Sequence, residues 1–153
     1  MAVAGAVKIT GIEEAAAALR AIAVRLDMAT AQGAEAARDL VEDRARANLS
    51  RYSHARGTPT PSPRGQPPAK IDGTLRDSWK HPLPVPDGAG GWVCTLSSGL
   101  VYSRIQELGG WAGRNHASYL PPRPYLKPAA EYLIASGAIR DTFARFWTDA
   151  VSA

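Results

Sequence analysis

The sequence predicts an α+β domain, in which two long N-terminal helical segments and a C-terminal helix pack on a small antiparallel sheet. Apolar residues recur every three or four positions in residues 12–52 and again in residues 128–150, which is the helical period. Between these stretches lie a proline-rich loop and then short runs of β-forming residues bounded by glycine and proline. With 153 residues, 45% apolar and 21% charged, the chain fits a single domain over residues 1–153 with its own core.

The first helical segment starts at Thr10-Gly11-Ile12-Glu13, which fits a capping box in which Thr10 accepts a hydrogen bond from a helical amide. Its apolar residues fall on one stripe, formed by Ile12, Ala15, Leu19, Ile22 and Leu26. A second segment covers about residues 31–52, where Glu42 and Arg46 are spaced to pair on the outside of the helix. Its apolar face is formed by Ala34, Ala37, Val41, Ala45, Leu49 and Tyr52. Gly33 lies between the two segments, and the sequence leaves open whether it breaks the helix or is absorbed into one long helix.

Residues 53–73 form a long proline-rich loop. Five prolines lie here among three glycines, a composition that favours extended conformations and does not build a core. Because loops of this length are unusual inside a compact domain, two interpretations stay open. The segment is either a floppy surface loop or an arm that orders against a partner.

The middle of the chain is predicted to be β-structure. Residues 75–79 lead into a short strand, and Pro82, Pro84 and Pro86 are expected to restrict that strand to a sheet edge or to end it early. The best strand is Trp92-Val93-Cys94-Thr95-Leu96, followed by a turn at residues 97–99.

A short helix at residues 102–108 follows, with Gly109 or Gly110 as its left-handed cap, and then a loop at residues 111–120. Pro128 suits the first turn of the last helix. Gly137 weakens the middle of that helix, so we expect a bend there. Its apolar face is formed by Tyr132, Ile139, Phe143, Phe146, Trp147 and Ala150.

The net charge of +4 is unevenly distributed. Residues 1–43 carry four basic and seven acidic side chains, whereas residues 44–80 carry eight basic and two acidic ones. A concentrated positive segment favours a polyanion such as nucleic acid, because binding releases the counterions of the phosphates. A DNA-facing or partner-facing role is therefore predicted for Arg44, Arg46, Arg51, Arg56 and Arg64. Solvated side chains on a helix end and a loop are the alternative, since no nucleic-acid motif accompanies the charge.

The sequence offers almost no catalytic chemistry. It contains no phosphate-binding glycine loop, no paired metal-ligand spacing and no nucleophile elbow, so we expect no enzyme, no metal and no cofactor. His54, His81 and His116 are isolated, and Cys94 is predicted to be a buried apolar residue. Glu107 is the most interesting carboxylate. With no partner nominated for acid catalysis, it is predicted to be a structural hydrogen-bond acceptor or an interface charge.

The sequence also limits the cellular compartments in which the protein is expected. The single cysteine excludes an internal disulfide. No apolar run approaches the roughly 18–20 residues that span a bilayer, and residues 1–7 lack the basic flank of a signal peptide. We therefore expect a protein that makes no membrane contact and is intracellular, or belongs to a particle assembled inside a cell.

A second proline-rich run, after the double glycine, has the features of a rigid docking element. Stiff proline segments lose little conformational entropy when they become ordered at an interface. Together with Glu107, the predicted docking residues are Pro121, Pro122, Arg123, Pro124, Tyr125 and Leu126. We also expect the run to fix the last helix against the sheet.

Four blocks of the chain, taken in order, resemble one protein family. They are Lys8-Ile9-Thr10-Gly11-Ile12-Glu13-Glu14, Gly73-Thr74-Leu75-Arg76-Asp77-Ser78, Val101-Tyr102-Ser103-Arg104-Ile105-Gln106-Glu107-Leu108-Gly109 and Pro122-Arg123-Pro124-Tyr125-Leu126-Lys127-Pro128-Ala129. The order and spacing are similar to those of the gene-product-10-like tail-completion, or head–tail connector, proteins of long-tailed bacteriophages. The proline-rich residues 53–73 and the loop at residues 111–120 depart from the family pattern.

The resemblance implies a structural virion protein without enzymatic activity, located at the phage neck and assembled in the host cytoplasm. Related proteins are called tail terminators, minor tail proteins or neck proteins. The implied partners are further copies of the chain in a ring, a hexamer in most relatives, together with neighbouring neck and tail-tube proteins and the packaged double-stranded DNA. A small basic nucleic-acid-binding protein is the alternative that the charge distribution supports.

Overall fold

The computed structural model describes residues 10–152 and has the predicted α+β fold. The helices of this part of the chain are α1 (Ile12–Leu49), α2 (Ser103–Leu108), α3 (Lys127–Ala135) and α4 (Ala138–Ser152). The strands are β1 (Trp79–Lys80), β2 (Val85–Pro86), β3 (Trp92–Val93), β4 (Ser97–Ser98), β5 (Gly110–Ala112) and β6 (Ser118–Leu120). No helix within residues 10–152 combines the length and the apolarity needed to cross a membrane.

The two predicted N-terminal segments form one continuous helix. Helix α1 has 38 residues, which corresponds to a length of about 57 Å. Gly33 is therefore absorbed into the helix. The predicted capping box is wrong: Gly11, in a left-handed conformation with φ 87°, occupies the cap position, and no side chain caps the helix. Thr10 lies one residue too early to do so, and Lys8 and Ile9 lie outside the described residues.

Gly33 is the point of closest approach between α1 and α4. A Cβ atom added there would lie 2.8 Å from Cδ1 of Phe143, closer than carbon atoms pack. The absence of a side chain at Gly33 therefore lets the Phe143 ring lie against the backbone of α1.

We expect Gly33→Ala to lower the free energy of unfolding by about 1–2 kcal/mol. The overlap with Phe143 costs about 1–3 kcal/mol, which exceeds the gain of up to about 1 kcal/mol in helix propensity. Urea denaturation measures the difference in the free energy of unfolding. Phe143→Leu is the matched background, because it removes the ring that an alanine at position 33 would overlap. Stabilisation by Gly33→Ala in the unaltered chain would contradict the close approach.

Helices α3 and α4 are separated at Gly137, which has a φ of 78°. The predicted bend is thus a complete break between two helices. Helix α4 runs antiparallel to α1, because Phe143 lies beside Gly33 and Trp147 Nε1 donates to Thr30 Oγ1 over 3.0 Å. Further along α4, Ala150 lines a groove with Ala29.

The core lies at the C-terminal end of α1. Ala45, Leu49, Tyr125 and Ala129 form a buried cluster, against which Leu75, Trp79 and Leu126 pack. This confirms the apolar face predicted for the second segment at Ala37, Ala45 and Leu49, although the helix ends before Tyr52. The apolar stripe predicted for the first segment is not buried in the same way, because Ile12 and Leu19 are 62% and 67% exposed.

The β-structure consists of three separate antiparallel ladders among the described residues: β1 with β4, β2 with β3, and β5 with β6. The best predicted strand, residues 92–96, is shorter in the structure, where only Trp92 and Val93 pair with β2, at Pro86 and Val85. Ser97 and Ser98 belong to β4 rather than to a turn. The predicted loop at residues 111–120 is a hairpin, with Trp111 paired to Tyr119.

The proline-rich segment folds back on its own chain and is not extended. Ser53 forms a parallel bridge with Lys70, and Lys70 N donates to Tyr52 O over 2.8 Å. Ser62 is buried, and its hydroxyl donates to Pro67 O over 2.6 Å. Since prolines supply no N–H groups, side-chain hydroxyls and residues outside the segment provide much of its hydrogen bonding.

Candidate functional site

Glu107 lies at the centre of the candidate site. Its Oε2 accepts hydrogen bonds from the main-chain N–H groups of Tyr125 and Leu126 over 2.8 and 3.0 Å, and its Oε1 accepts one from Lys127 over 2.8 Å. These donors open α3, a helix with no side-chain cap of its own. A carboxylate satisfies such orphan N–H groups and interacts favourably with the positive end of the helix dipole. The prediction that Glu107 is a structural hydrogen-bond acceptor is confirmed by these bonds.

Tyr125 anchors the proline-rich docking run in the core. It is 3% exposed, and its ring meets that of Trp79 edge to face at 6.0 Å. Asn48, in the last turns of α1, donates from Nδ2 to Tyr125 O over 2.9 Å. Burial, followed by the nearby Glu107 carboxylate, raises the pKa of Tyr125 to about 12. The phenol therefore stays neutral across the physiological range.

Arg123 connects three distant segments. Its main-chain N–H donates to Gln106 O over 2.7 Å, and its Nη1 donates to Ser62 O over 3.1 Å. Pro122 lies against Gly109, where a Cβ atom would come within 2.8 Å of the proline nitrogen. The run was predicted to fix the last helix against the sheet. Tyr125 does pack on Trp79 of β1, but the other contacts of the run are chiefly with α1, α2 and residue 62.

The remaining docking residues surround this anchor. Pro121, Pro124 and Leu126 are half-buried, whereas Pro122 is exposed. The run thus holds its tyrosine inside the protein and presents little of its length to solvent.

The five candidate basic residues do not form one free patch. Arg46 pairs with Glu42 at 2.7 Å and approaches Asp77 at 3.6 Å, and Arg56 pairs with Asp72 at 3.3 Å. The positive charge of these two arginines is therefore partly neutralised within the chain. The spacing of Glu42 and Arg46 predicted their pair, whereas Asp77 and Asp72 lie 16 or more residues from their arginines, too far for a local pattern to indicate.

The other three arginines have no carboxylate partner among residues 10–152. The Arg44 guanidinium lies 4.0 Å from the centre of the Tyr132 ring. Arg51 donates to Gln66 Oε1 over 3.0 Å, and Arg64 is exposed in the proline-rich segment. Arg44, Arg51 and Arg64 therefore remain the candidates for contact with a polyanion, and of these Arg51 and Arg64 lie in or against the proline-rich segment.

A buried carboxylate elsewhere in the chain was not anticipated. Glu42 is 6% exposed, so its predicted place on the outside of α1 is wrong, although its pairing with Arg46 is confirmed. The second oxygen of Glu42 contacts Nε2 of His81, which is consequently not isolated. This contact ties the chain after β1 to α1, and no local sequence pattern could reveal a pair 39 positions apart.

Within residues 10–152, no group of three or more histidine, cysteine or acidic side chains is placed to hold a metal ion. Burial raises the pKa of the Cys94 thiol, which disfavours the reactive thiolate.

A cleft of about 340 Å³ lies beside α2. It lies between residues 68–76 and α2, and Leu49 forms part of its wall. Lys70 and Arg76 line the cleft together with Tyr102 and Gln106, so it joins the second and third blocks of the resemblance.

Comparison of the chain with protein families, with curated proteins and with solved structures gives no match.

Proposed function

We propose that this chain is a structural protein of the neck of a tailed bacteriophage particle, where it helps to join the DNA-filled head to the tail. In this role it assembles as a ring, of six copies in most relatives of this kind, around the channel through which DNA passes. It acts as a tail-completion or tail-terminator protein and catalyses no reaction.

The observation that carries the proposal is the meeting of three of the four resemblance blocks around Glu107 and Tyr125. Residues 73–76 line the cleft against α2, Glu107 in α2 caps α3, and Arg123 N–H donates to Gln106 O. Blocks far apart in sequence thus build one structural unit. Such convergence supports a resemblance of fold, because chance matches would have no reason to lie together.

The character of this unit supports a docking function. Its charged groups are used to fix main-chain segments, as the Glu107 and Arg123 hydrogen bonds illustrate. A segment already held in one conformation loses little entropy when a partner binds. A body of this kind suits a subunit that presents two different surfaces to its neighbours in a ring.

Light scattering coupled to size exclusion, with negative-stain images of the same peak, tests ring assembly. We expect open rings of about six subunits, either for the protein alone or after addition of purified tails. Failure to form a ring in both conditions would contradict the proposal.

Contact with DNA is expected to involve Arg51 and Arg64. The double variant Arg51→Ala/Arg64→Ala should bind duplex DNA more weakly, with a slope of log affinity against log salt that is smaller by about 2. Salt-titrated fluorescence anisotropy measures this slope.

The matched control is the exposed Arg140, which pairs with Asp141 in the first turn of α4. The control variant Arg140→Ala/Thr148→Glu removes this positive charge and adds a negative charge at the exposed Thr148. It therefore lowers the net charge by two units, as the test variant does, but at a distance from Arg51. An equal loss of slope in that control would show that overall charge, rather than these two arginines, controls binding. Tight duplex binding by a protein that never forms rings would favour the alternative function, a small basic nucleic-acid-binding protein.

A further inference from the structure

The cleft beside α2 contains polar side chains that the described chain does not use for its own structure. Lys70 and Gln106 line it from opposite walls, and both are half-buried. Among residues 10–152, the Lys70 ammonium forms no ion pair and the Gln106 side-chain amide forms no hydrogen bond. Because polar groups withdrawn from solvent are normally paired, these two groups are available to a ligand.

The charges around Lys70 leave it without a counter-ion. Asp77 accepts hydrogen bonds from Arg76 over 2.9 and 2.8 Å, and Arg46 approaches it at 3.6 Å. The hydrogen bonds from Arg76 hold the pKa of Asp77 below its usual range, and the charges of Arg46 and Lys70 contribute less. Three cations therefore share this carboxylate, and Lys70 is the one that does not contact it.

The carboxylate that lines the cleft itself, Asp72, is also occupied. Its Oδ1 accepts from the main-chain N–H and the hydroxyl of Thr74 over 3.0 and 2.7 Å, and its Oδ2 lies 3.3 Å from Arg56. Neither carboxylate thus neutralises Lys70. The cleft presents a positive charge to whatever enters it.

The remaining wall of the cleft is apolar. It includes Leu49, which is 3% exposed, the half-buried Leu75, and Ile71, which is 48% exposed. A volume of about 340 Å³ lies at the small end of the range for ligand sites, roughly 300–1,000 Å³. The cleft therefore suits one aliphatic side chain with its adjoining polar groups.

Both walls are held in position by main-chain hydrogen bonds. Lys70 N donates to Tyr52 O over 2.8 Å, and His54 N donates to Lys70 O over 3.0 Å. On the other side, Gln106 O accepts from Arg123 N over 2.7 Å. A site that is already ordered loses little entropy when a ligand binds.

We propose that this cleft binds a short peptide segment of a partner protein, one that presents a carboxylate beside an aliphatic side chain. The carboxylate pairs with Lys70, the side chain lies against Leu49 and Ile71, and Gln106 hydrogen-bonds a main-chain amide. An acyl chain offers Gln106 no amide, and a nucleic-acid phosphate leaves the apolar wall uncovered, so a peptide matches the cleft better than either. The inference goes beyond the proposed function, since such binding requires neither a ring nor DNA.

Saturation-transfer difference NMR of the full chain, with N-acetyl-leucine as the probe, tests this proposal in any oligomeric state. We expect a dissociation constant in the low millimolar range, as for other ligands of about a dozen non-hydrogen atoms. The neutral analogue N-acetyl-leucinamide should bind roughly three- to tenfold more weakly, because it cannot pair with Lys70. The analogue 4-methylpentanoate, which lacks the acetamido group, should also bind more weakly. Equal binding of either analogue, or no binding of N-acetyl-leucine, would overturn the proposal.

Two matched pairs of variants locate the binding. Lys70→Met should abolish the preference for N-acetyl-leucine over its amide, whereas Lys80→Met, at an exposed lysine outside the cleft, should retain it. Ile71→Ser should weaken N-acetyl-leucine binding roughly threefold, whereas Leu83→Ser, at a side chain that is 81% exposed elsewhere, should have no effect. Circular dichroism verifies that all four variants are folded. Equal effects within either pair would place the binding outside the cleft and overturn the proposal.

Competition with duplex DNA separates the peptide from a polyanion. DNA should leave the N-acetyl-leucine signal unchanged, and displacement of the probe would assign the cleft to nucleic acid instead. The outcome is also separable from that of ring assembly. Selective binding by a protein that forms no rings would sustain the cleft and remove the proposed function, and rings without selective binding would have the opposite meaning.

Discussion

Replacing Glu107 by alanine is expected to lower the free energy of unfolding by about 2–4 kcal/mol. The change removes a charged acceptor from three main-chain N–H groups at the start of α3. A hydrogen bond to a charged group contributes about 1.5–3 kcal/mol, and the three bonds share one carboxylate, so their contributions do not simply add. Urea denaturation followed by circular dichroism measures the loss.

Two control variants make this prediction specific. Glu131→Ala removes a carboxylate of α3 that only approaches Lys127, at 3.7 Å on the surface, and should cost no more than about 0.5 kcal/mol. Glu107→Gln keeps the shape and one acceptor oxygen, so its effect should be intermediate. Amide hydrogen exchange at Leu126 and Lys127 should accelerate in Glu107→Ala. A loss equal to that of Glu131→Ala would refute the capping role.

Truncation of Tyr125 to alanine is expected to cost about 3–5 kcal/mol, the largest effect of any single change considered. The side chain fills the space between Ala45, Leu49 and Ala129 and meets the Trp79 ring edge to face. Its removal leaves a cavity at the point where the docking run joins α1. Tyr119→Ala is the matched control, because Tyr119 is 56% exposed on the hairpin and should cost about 1 kcal/mol or less.

The hydroxyl of Tyr125 adds a dependence on pH. Burial raises its pKa to about 12, above the ordinary value near 10, so the folded state favours the neutral phenol. The resulting stabilisation is fully present below pH 10 and is lost as the pH rises towards 12. Tyr125→Phe, which keeps the ring, should show a smaller loss of stability over this alkaline interval. A Tyr125→Phe variant that loses as much stability as Tyr125→Ala would show that the ring does not provide the packing energy.

The sequence predicted the features that local periodicity and turn chemistry control. The α+β class, the apolar face at Ala37, Ala45 and Leu49, the helix start near Pro128 and the interruption at Gly137 all follow from local patterns. The sequence offers Glu107 no partner for acid catalysis, and this predicted a structural or interface role for it. Its actual partners are main-chain amides, which a sequence does not distinguish from any others.

The features that failed to follow from the sequence depend on contacts between distant residues. The two-residue length of β3 depends on its register with Val85 and Pro86 of β2, which local β-propensity does not give. The neutralisation of Arg56 requires Asp72, and the burial of Glu42 requires His81. Periodicity identified the stripe at residues 12–26 as apolar, but it could not show that α4 ends before it covers this stripe. Because Arg46 and Arg56 are paired, the five candidate arginines are reduced to Arg44, Arg51 and Arg64.

The proposed function places the gene in the genome of a tailed phage, and its most direct test is deletion of the gene from that genome, followed by electron microscopy of the lysate. The account predicts DNA-filled heads and complete tails that remain separate, and their joining when the purified protein is added. The same complementation with folded Arg140→Ala protein should succeed, which controls for the addition itself. Joined, infectious particles in the absence of the protein would contradict the account.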